Sequence, residues 1–386
     1  MADISQFRFP TDIRFGVGGR SVLGEFARKY KVSRPLLVTD SGLLQTEAFR
    51  LIEEQMKSIW PKTFAKFTGV HPNPTDQDVD GALSAYLQGK CDGVVGLGGG
   101  SALDAARALR LKVAFPDVAL MDMPFNELGQ LVPMCAIPTT AGTGSEVGRS
   151  SVITIRKMGR KAIFGAQPLM AEMAILDPEL TVGLPPNLTA STGMDAMTHA
   201  IEAFVCPVFH PMCDAIALEA IRMVWVYLPR AYSDGADIEA RGMMQVAAAM
   251  GAVAFQKDLG AAHSLSHPLS SEFGIQHGLA NAICLAPVMK YNKEVSAAQY
   301  ARVAQCFGIN TFGISESEAA DKAIEAIQDL NRLIGIPKSL GEVGIKEDQL
   351  EMLAKKAFED PCHASNPRGC TEQDLLMLYK EAFNGM

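Results

Sequence analysis

The sequence predicts two structural classes in one chain: an α/β part built on a mostly parallel sheet, then an all-helical part. Three observations carry this. Short apolar runs in the first half each end in a glycine- or hydroxyl-rich turn and give way to a helical pattern. From Leu184-Pro-Pro-Asn187 onward the pattern is one of long helices, rich in Ala and Met at 243–254 and 317–334, with few strand signals. A chain of 386 residues, 48% hydrophobic and 20% charged, is too long for one simple core, so two domains are expected, 1–183 and 184–386.

Arg34 to Thr39 reads as a strand ending at Asp40-Ser-Gly42. Asp92 to Leu97 reads as a second, ending at Gly98-Gly-Gly-Ser101, and Ala102 to Leu111 follows as a helix. Val132 to Pro138 is a third, running into Thr139-Thr-Ala-Gly-Thr-Gly144. Strands near Ser151–Ile155 and Glu172–Leu176 close this half. No internal repeat or low-complexity segment is present.

Composition excludes several functions. The net charge of -8, without any Lys/Arg-rich run, argues against nucleic-acid binding. No apolar stretch reaches membrane-spanning length. The start, MADISQFRFP, has neither the basic nor the apolar segment of a signal peptide. Eight cysteines without CxxC spacing, several inside apolar runs, point to reduced thiols and a cytoplasmic protein.

Gly96-Leu-Gly-Gly-Gly-Ser101 lies between a strand and a helix. There glycines allow close approach to a phosphate, and a helix N-terminus offers free N–H groups and a favourable dipole. The strict GxGxxG pattern is not met, because Ser101 holds its third glycine position; alone, the segment is also compatible with a ligand-free tight turn. Thr139 to Glu146 is a hydroxyl- and glycine-rich loop in the corresponding position after its own strand. Asp40, also at a strand end, has the chemistry to accept ribose hydroxyls and repel an added phosphate, or simply to cap a turn.

In Thr192-Gly-Met-Asp-Ala-Met-Thr-His-Ala-Ile-Glu-Ala-Phe204, Asp195 and His199 sit one helical turn apart in an otherwise largely apolar run. Four of the chain's seven histidines, His199, His263, His267 and His277, fall in two short regions of the helical half. One carboxylate with several imidazoles is a ligand set for Fe²⁺ or Zn²⁺. His263 and His267 share the i, i+4 spacing, so spacing leaves open whether one or both bind.

These segments together resemble the iron-containing (group III) alcohol dehydrogenases over nearly the whole chain. The matching stretches are Phe7 to Gly16, Gly98 to Ser101, Pro138 to Glu146, Thr192 to Glu202, His263 to Pro268, His277-Gly278 and Asn366-Pro-Arg368. The resemblance implies a dinucleotide-binding α/β domain followed by an all-α metal-binding domain, the dehydroquinate synthase-like architecture, with a cleft between them. It implies that Asp195, His199, His263 and His277 hold the metal, Fe²⁺ or alternatively Zn²⁺, with His267 beside it as a catalytic proton relay. Asp40, Asn73, Gly98, Gly99, Gly100, Ser101, Thr139, Thr140, Thr143 and Lys161 are implied to face NAD, with NADP the alternative.

The implied activity is that of an NAD- and divalent-metal-dependent alcohol dehydrogenase or aldehyde reductase. Its substrate would be a small primary alcohol or hydroxy acid, with hydride passing between a metal-stabilised alkoxide and nicotinamide. A homodimer or larger homo-oligomer is implied as well. A hydroxyacid–oxoacid transhydrogenase and an NAD-using dehydroquinate synthase-like lyase are the alternatives.

One segment departs from the family pattern. Many members read Phe-x-Asn-Ala-x-Leu-Gly before the third metal ligand; here Phe255-Gln-Lys-Asp-Leu-Gly260 is one residue shorter and carries Lys257. This looks more like the 4-hydroxybutyrate dehydrogenase branch. It nominates Phe255 and Lys257 as substrate residues, with Lys257 or Lys161 expected to meet a substrate carboxylate.

Overall fold

The computed structural model describes residues 9 and 11–385; Phe7, Arg8 and Pro10 of the Phe7–Gly16 segment lie outside the described residues. The chain forms two compact units that divide between Leu184 and Pro185.

The first unit is built on strands β1 (Asp12–Phe15), β2 (Pro35–Asp40), β3 (Ala65–Val70), β4 (Gly93–Gly98), β5 (Met134–Pro138) and β8 (Met173–Leu176). They form one six-stranded sheet in the order β1-β8-β5-β4-β2-β3, every pairing parallel. The four inner strands, β2, β4, β5 and β8, are buried almost throughout. That is why they read as unbroken apolar runs: a parallel sheet covered on both faces cannot alternate. Leu37, Val95, Ile137 and Ile175 pack towards α1 (Leu23–Tyr30) and α2 (Glu47–Ile59). Their neighbours Leu36, Val38, Val94 and Ala136 pack towards α3 (Asp76–Gln88) and α4 (Gly100–Ala114) on the other face.

Two sheet strands escape the apolar-run criterion for a physical reason. β1 (DIRF) and β3 (AKFTGV) are the edge strands, and charged residues stand along them where solvent reaches. Ser151–Ile155 forms a strand, as expected. It belongs to β6 (Ser150–Ile155), which pairs antiparallel with β7 (Arg160–Gly165) in a separate hairpin and does not extend the sheet.

The chain goes from β2 outward to β3, then returns to set β4 on the opposite side of β2. The connections leaving β2 and β4 therefore diverge, which opens a crevice at the carboxyl ends of these strands, the switch point where open α/β sheets bind ligands.

The second unit is helical: α5 (Pro186–Val205), α6 (Pro211–Ser233), α7 (Ile238–Ala254), α8 (Ala261–Phe273), α9 (His277–Cys306), α10 (Glu316–Leu333), α11 (Leu350–Phe358) and α12 (Glu372–Asn384). α5 is the axis, buried from Thr189 to Val205 and packed by α6, α7 and α9. A helix apolar all round belongs in a core, so the polar groups on its buried surface need partners. α9 crosses α5 at Gly278, where an added Cβ would lie 2.1 Å from the Ser191 carbonyl oxygen and 3.0 Å from the Asp195 Cβ. Only glycine permits that approach. No helix among the described residues is long and apolar enough to cross a membrane.

Candidate metal centre and nucleotide turn

The buried polar groups of α5 find their partners on α8 and α9. Asp195, 2% exposed, points Oδ1 to within 3.5 Å of His277 Nε2 and 3.9 Å of His263 Nε2. His199 Nε2 is 3.9 Å from the same oxygen, and its ring stacks on His263 with centroids 4.7 Å apart. His199 Nδ1 is buried without a hydrogen-bond partner. The Asn281 amide nitrogen, one turn after His277, donates to Asp195 Oδ1 at 2.8 Å and lies 3.2 Å from both His263 Nε2 and His277 Nε2. Asp195, His263 and His277 thus each bring one ligand atom to within 4.8 Å of the other two, with His199 beside them.

The charge state fits a cation. Burial opposes ionisation of Asp195, but the neighbouring imidazoles, His199 and His277 foremost, and the Asn281 N–H outweigh it and hold the carboxyl below its usual range. Burial keeps His263 neutral, well below the ordinary histidine value, and His199 beside it adds to the effect. An ionised carboxylate and a neutral imidazole are the forms that bind metal. Adjacent ligand atoms around a tetrahedral site with bonds of about 2.0–2.1 Å stand about 3.4 Å apart, so spacings of 3.5–3.9 Å suit a divalent ion.

His267, one turn along α8 from His263, stacks on His277 with centroids 5.2 Å apart. Its Nδ1 lies 2.7 Å from Asp360 Oδ2. Asp360 also accepts from Ser264 Oγ at 2.9 Å and from the Cys362 N–H at 2.9 Å. Burial pushes the Asp360 carboxyl up, yet the bonds from His267, Cys362 and Ser264 win and keep it well below the usual range. An ionised carboxylate can only accept, so His267 carries its proton on Nδ1. His267, Asp360 and Cys362 are close enough to resemble a second metal cluster. With both Asp360 oxygens already occupied, the group is an oriented imidazole instead.

Phe255 places its ring 5.0 Å from His199. Lys257 does not stand free as a substrate cation. It is 2% exposed, its ammonium pairs with Asp214, and its carbonyl accepts from the Cys206 thiol at 2.9 Å. Asp258, which ends the Phe255–Lys257 turn, takes a φ of +90°.

In the first unit the nucleotide candidates gather at the carboxyl ends of β2, β4 and β5. Gly98 has a φ of +144°, which only glycine adopts easily, and Gly99 stands at the N-cap of α4 with no side chain over the free N–H groups. Thr143 packs over Gly100: its Cγ2 lies 2.8 Å from where a side chain would begin. Thr140 flanks Gly99 in the same way at 3.5 Å, and the Thr139 N–H donates to the Gly98 carbonyl at 3.0 Å. Ser101 Oγ donates to the Pro72 carbonyl, tying the turn to the loop that carries exposed Asn73. Asp40 caps the Ser41–Leu43 turn through a 3.2 Å bond from the Leu43 N–H, while Oδ2 faces Gly98. Lys161 sits on β7; burial lowers its pKa and the charge of Asp104 partly restores it.

Family models match this chain along most of its length: "Iron-containing alcohol dehydrogenase" over residues 10–178 and "Fe-containing alcohol dehydrogenase family, C-terminal" over 189–383. The chain belongs to the iron-containing alcohol dehydrogenases. It is an oxidoreductase of that family, and its fold is the family fold. An NAD-dependent methanol dehydrogenase of Bacillus methanolicus is 37% identical, covering 98% of this chain and 100% of the relative. A 4-hydroxybutyrate dehydrogenase of Cupriavidus necator is 35% identical over 96% and 98%. The crystal structure of a 1,3-propanediol oxidoreductase superposes with a TM-score of 0.94 at 34% identity, covering 98% of this chain and all of that one.

Three residues of the site escaped a sequence-based role. Asn281 was findable, one turn after His277 on the same helix face. Glu202 lay inside the Thr192–Glu202 segment, seven residues after Asp195, without a partner to explain it. Asp360 carries no local signal: it meets His267 across 93 residues.

Proposed function

We propose that this family member is an NAD-dependent dehydrogenase of small primary alcohols or hydroxy acids, working in the cytoplasm as a homodimer. The convergence of Asp195, His263 and His277 on one point carries the reading, with His199 completing the ligand set. Asp195, His199, His263 and His277 would hold a divalent ion, Fe²⁺ or alternatively Zn²⁺, which would supply Lewis-acid activation of the alcohol or aldehyde oxygen, and NAD would supply the hydride acceptor.

The chain's own residues do the rest. His267, fixed by Asp360 through Nδ1, is left with Nε2 to accept the alcohol proton and return it to solvent; its side chain is 19% exposed, against 1% for His263. Phe255 supplies an apolar wall next to His199. The Gly98–Ser101 turn, with Thr139, Thr140 and Thr143, presents N–H and hydroxyl donors to the pyrophosphate. Lys161 adds positive charge, and Asn73 stands at the rim of the same crevice. Asp40 selects NAD over NADP, since its carboxylate accepts ribose hydroxyls and repels a 2′-phosphate. The exposed apolar side chains of edge strand β1, Ile13 and Phe15, support pairing with a second copy. With Lys257 bound to Asp214, the carboxylate-binding role falls to no cation of the Phe255–Gly260 segment.

The test is NADH formation by metal-stripped enzyme reloaded with Fe²⁺ or Zn²⁺, on methanol, 1-butanol, 1,3-propanediol and 4-hydroxybutyrate. Metal-restored turnover of one or more alcohols is expected. Hydride exchange between substrates without net NADH would favour a transhydrogenase and refute the reading.

A further inference from the structure

Glu202 is buried to 3% exposure on α5, a costly position for a carboxylate without a role. Its side-chain partner is an imidazole: Oε2 lies 2.6 Å from His263 Nδ1. Oε1 accepts the Ala262 N–H at 2.7 Å. Ala262 is in the first turn of α8, whose N-terminal N–H groups have no partner within the helix. The N-cap is Gly260, which has no side chain to cap with; a Cβ there would lie 2.9 Å from Glu202 Oε1. Glu202 therefore reaches across from α5 to cap α8, and with its second oxygen grips the imidazole two residues into that helix.

We propose that Glu202 is a positioning residue for the metal: it fixes His263 as the Nδ1–H tautomer and so leaves Nε2 as a lone pair for the ion. This rests on the metal reading of the site. With Nε2 turned to Asp195 and the candidate ion position, a neutral imidazole carries its proton on the other nitrogen, Nδ1, and Glu202 Oε2 lies 2.6 Å away to accept it. The opposite nitrogen, Nε2, is the atom 3.9 Å from Asp195 Oδ1. Asp195 and Glu202 are the two buried carboxylates on α5 that would balance the charge of a divalent ion held beyond the ring. Hydrogen bonds of this kind on a ligand's far nitrogen orient the ring and raise its basicity.

Glu202→Gln is nearly isosteric and tests the idea. Turned one way, its NH₂ donates to Nδ1 and drives the proton to Nε2, where it blocks the metal. Turned the other way, NH₂ opposes the Ala262 N–H. The measurement is Zn²⁺ affinity of the stripped full-length protein, read by competition with a chromophoric chelator, beside the thermal midpoint of the stripped form. The expected result is a roughly 10- to 100-fold weaker Zn²⁺ affinity for E202Q while it remains folded. A variant that loses stability when stripped but holds Zn²⁺ as tightly as the wild type overturns the proposal and leaves only a helix cap. If wild type and Asp195→Asn bind Zn²⁺ equally, the metal reading itself fails. Should E202Q not fold, long-range ¹⁵N–¹H spectra of the Zn²⁺-loaded wild type decide: Nδ1–H on His263 is expected, and Nε2–H overturns the assignment.

Discussion

The two candidate sites of this chain are built by opposite means. The metal centre draws side chains from α5, α8 and α9 into a closed core, and each buried charge there has a named partner. The nucleotide turn uses mostly backbone: a positive-φ glycine, an uncapped helix N-terminus and threonines packed over glycines, all close to solvent. A small ion needs several ligand atoms within about 4 Å of each other, which demands helices in tight, exact register. A dinucleotide is large and needs an open surface with free N–H groups. The first design should therefore fail abruptly when packing is disturbed, and the second gradually.

Gly278→Ala should give the largest effect. The new Cβ meets backbone, the Ser191 carbonyl, at 2.1 Å, so α9 must move away from α5 and carry His277 with it. We expect destabilisation at or beyond the top of the roughly 1–3 kcal/mol usual for overpacking, together with loss of bound metal, checked by denaturant unfolding and elemental analysis. A variant with wild-type stability and metal content would show that the close crossing is not what sets the ligand register.

How much of this was legible in the sequence follows the same division. Inner strands announced themselves because they are apolar on both faces. Edge strands β1 and β3 did not, because half their residues meet water. The candidate ligands Asp195 and His199 stood out as a polar pair in an apolar helix, while the choice among the downstream histidines came from the family resemblance. Their supports were less visible: Asp360 is brought to His267 only by the tertiary fold; likewise Lys257, expected to meet a substrate carboxylate, is buried against Asp214. A sequence shows which residues are unusual more readily than which distant residue satisfies them.

Glu146 offers a sharper, pH-dependent contrast in the first unit. Burial raises its pKa to about 7, with a partial offset from its own backbone and the Arg107 charge. The folded state thus holds this proton more tightly than the unfolded chain, whose carboxyl titrates near 4.5. Its stability contribution is complete below about pH 4.5 and is lost as pH rises through about 7. Glu146→Gln should remove that decline, leaving a variant that gains on the wild type by about 2 kcal/mol between roughly pH 5.5 and 7, at about 1.36 kcal/mol per unit. Unfolding curves at the two pH values check it; parallel pH dependence in both proteins would contradict it.

The smallest effect is expected at Gly98→Ala. The strained φ costs roughly 1–2 kcal/mol at most sites, and the nearest obstacle is the Ala102 methyl at 2.8 Å. The turn should shift and the KM for NAD rise about tenfold, with kcat and metal content kept. Loss of metal in this variant would mean that the two sites are not independent.

The most direct test of the account is metal content per chain, by elemental analysis after equilibration with Fe²⁺ without oxygen, in wild type and Asp195→Asn, with NAD binding followed by nucleotide fluorescence. The account predicts one ion per wild-type chain, almost none in the variant, and unchanged NAD binding in both. Wild-type metal content in Asp195→Asn would contradict it, because the convergence on Asp195 Oδ1 would then not be where the metal is held.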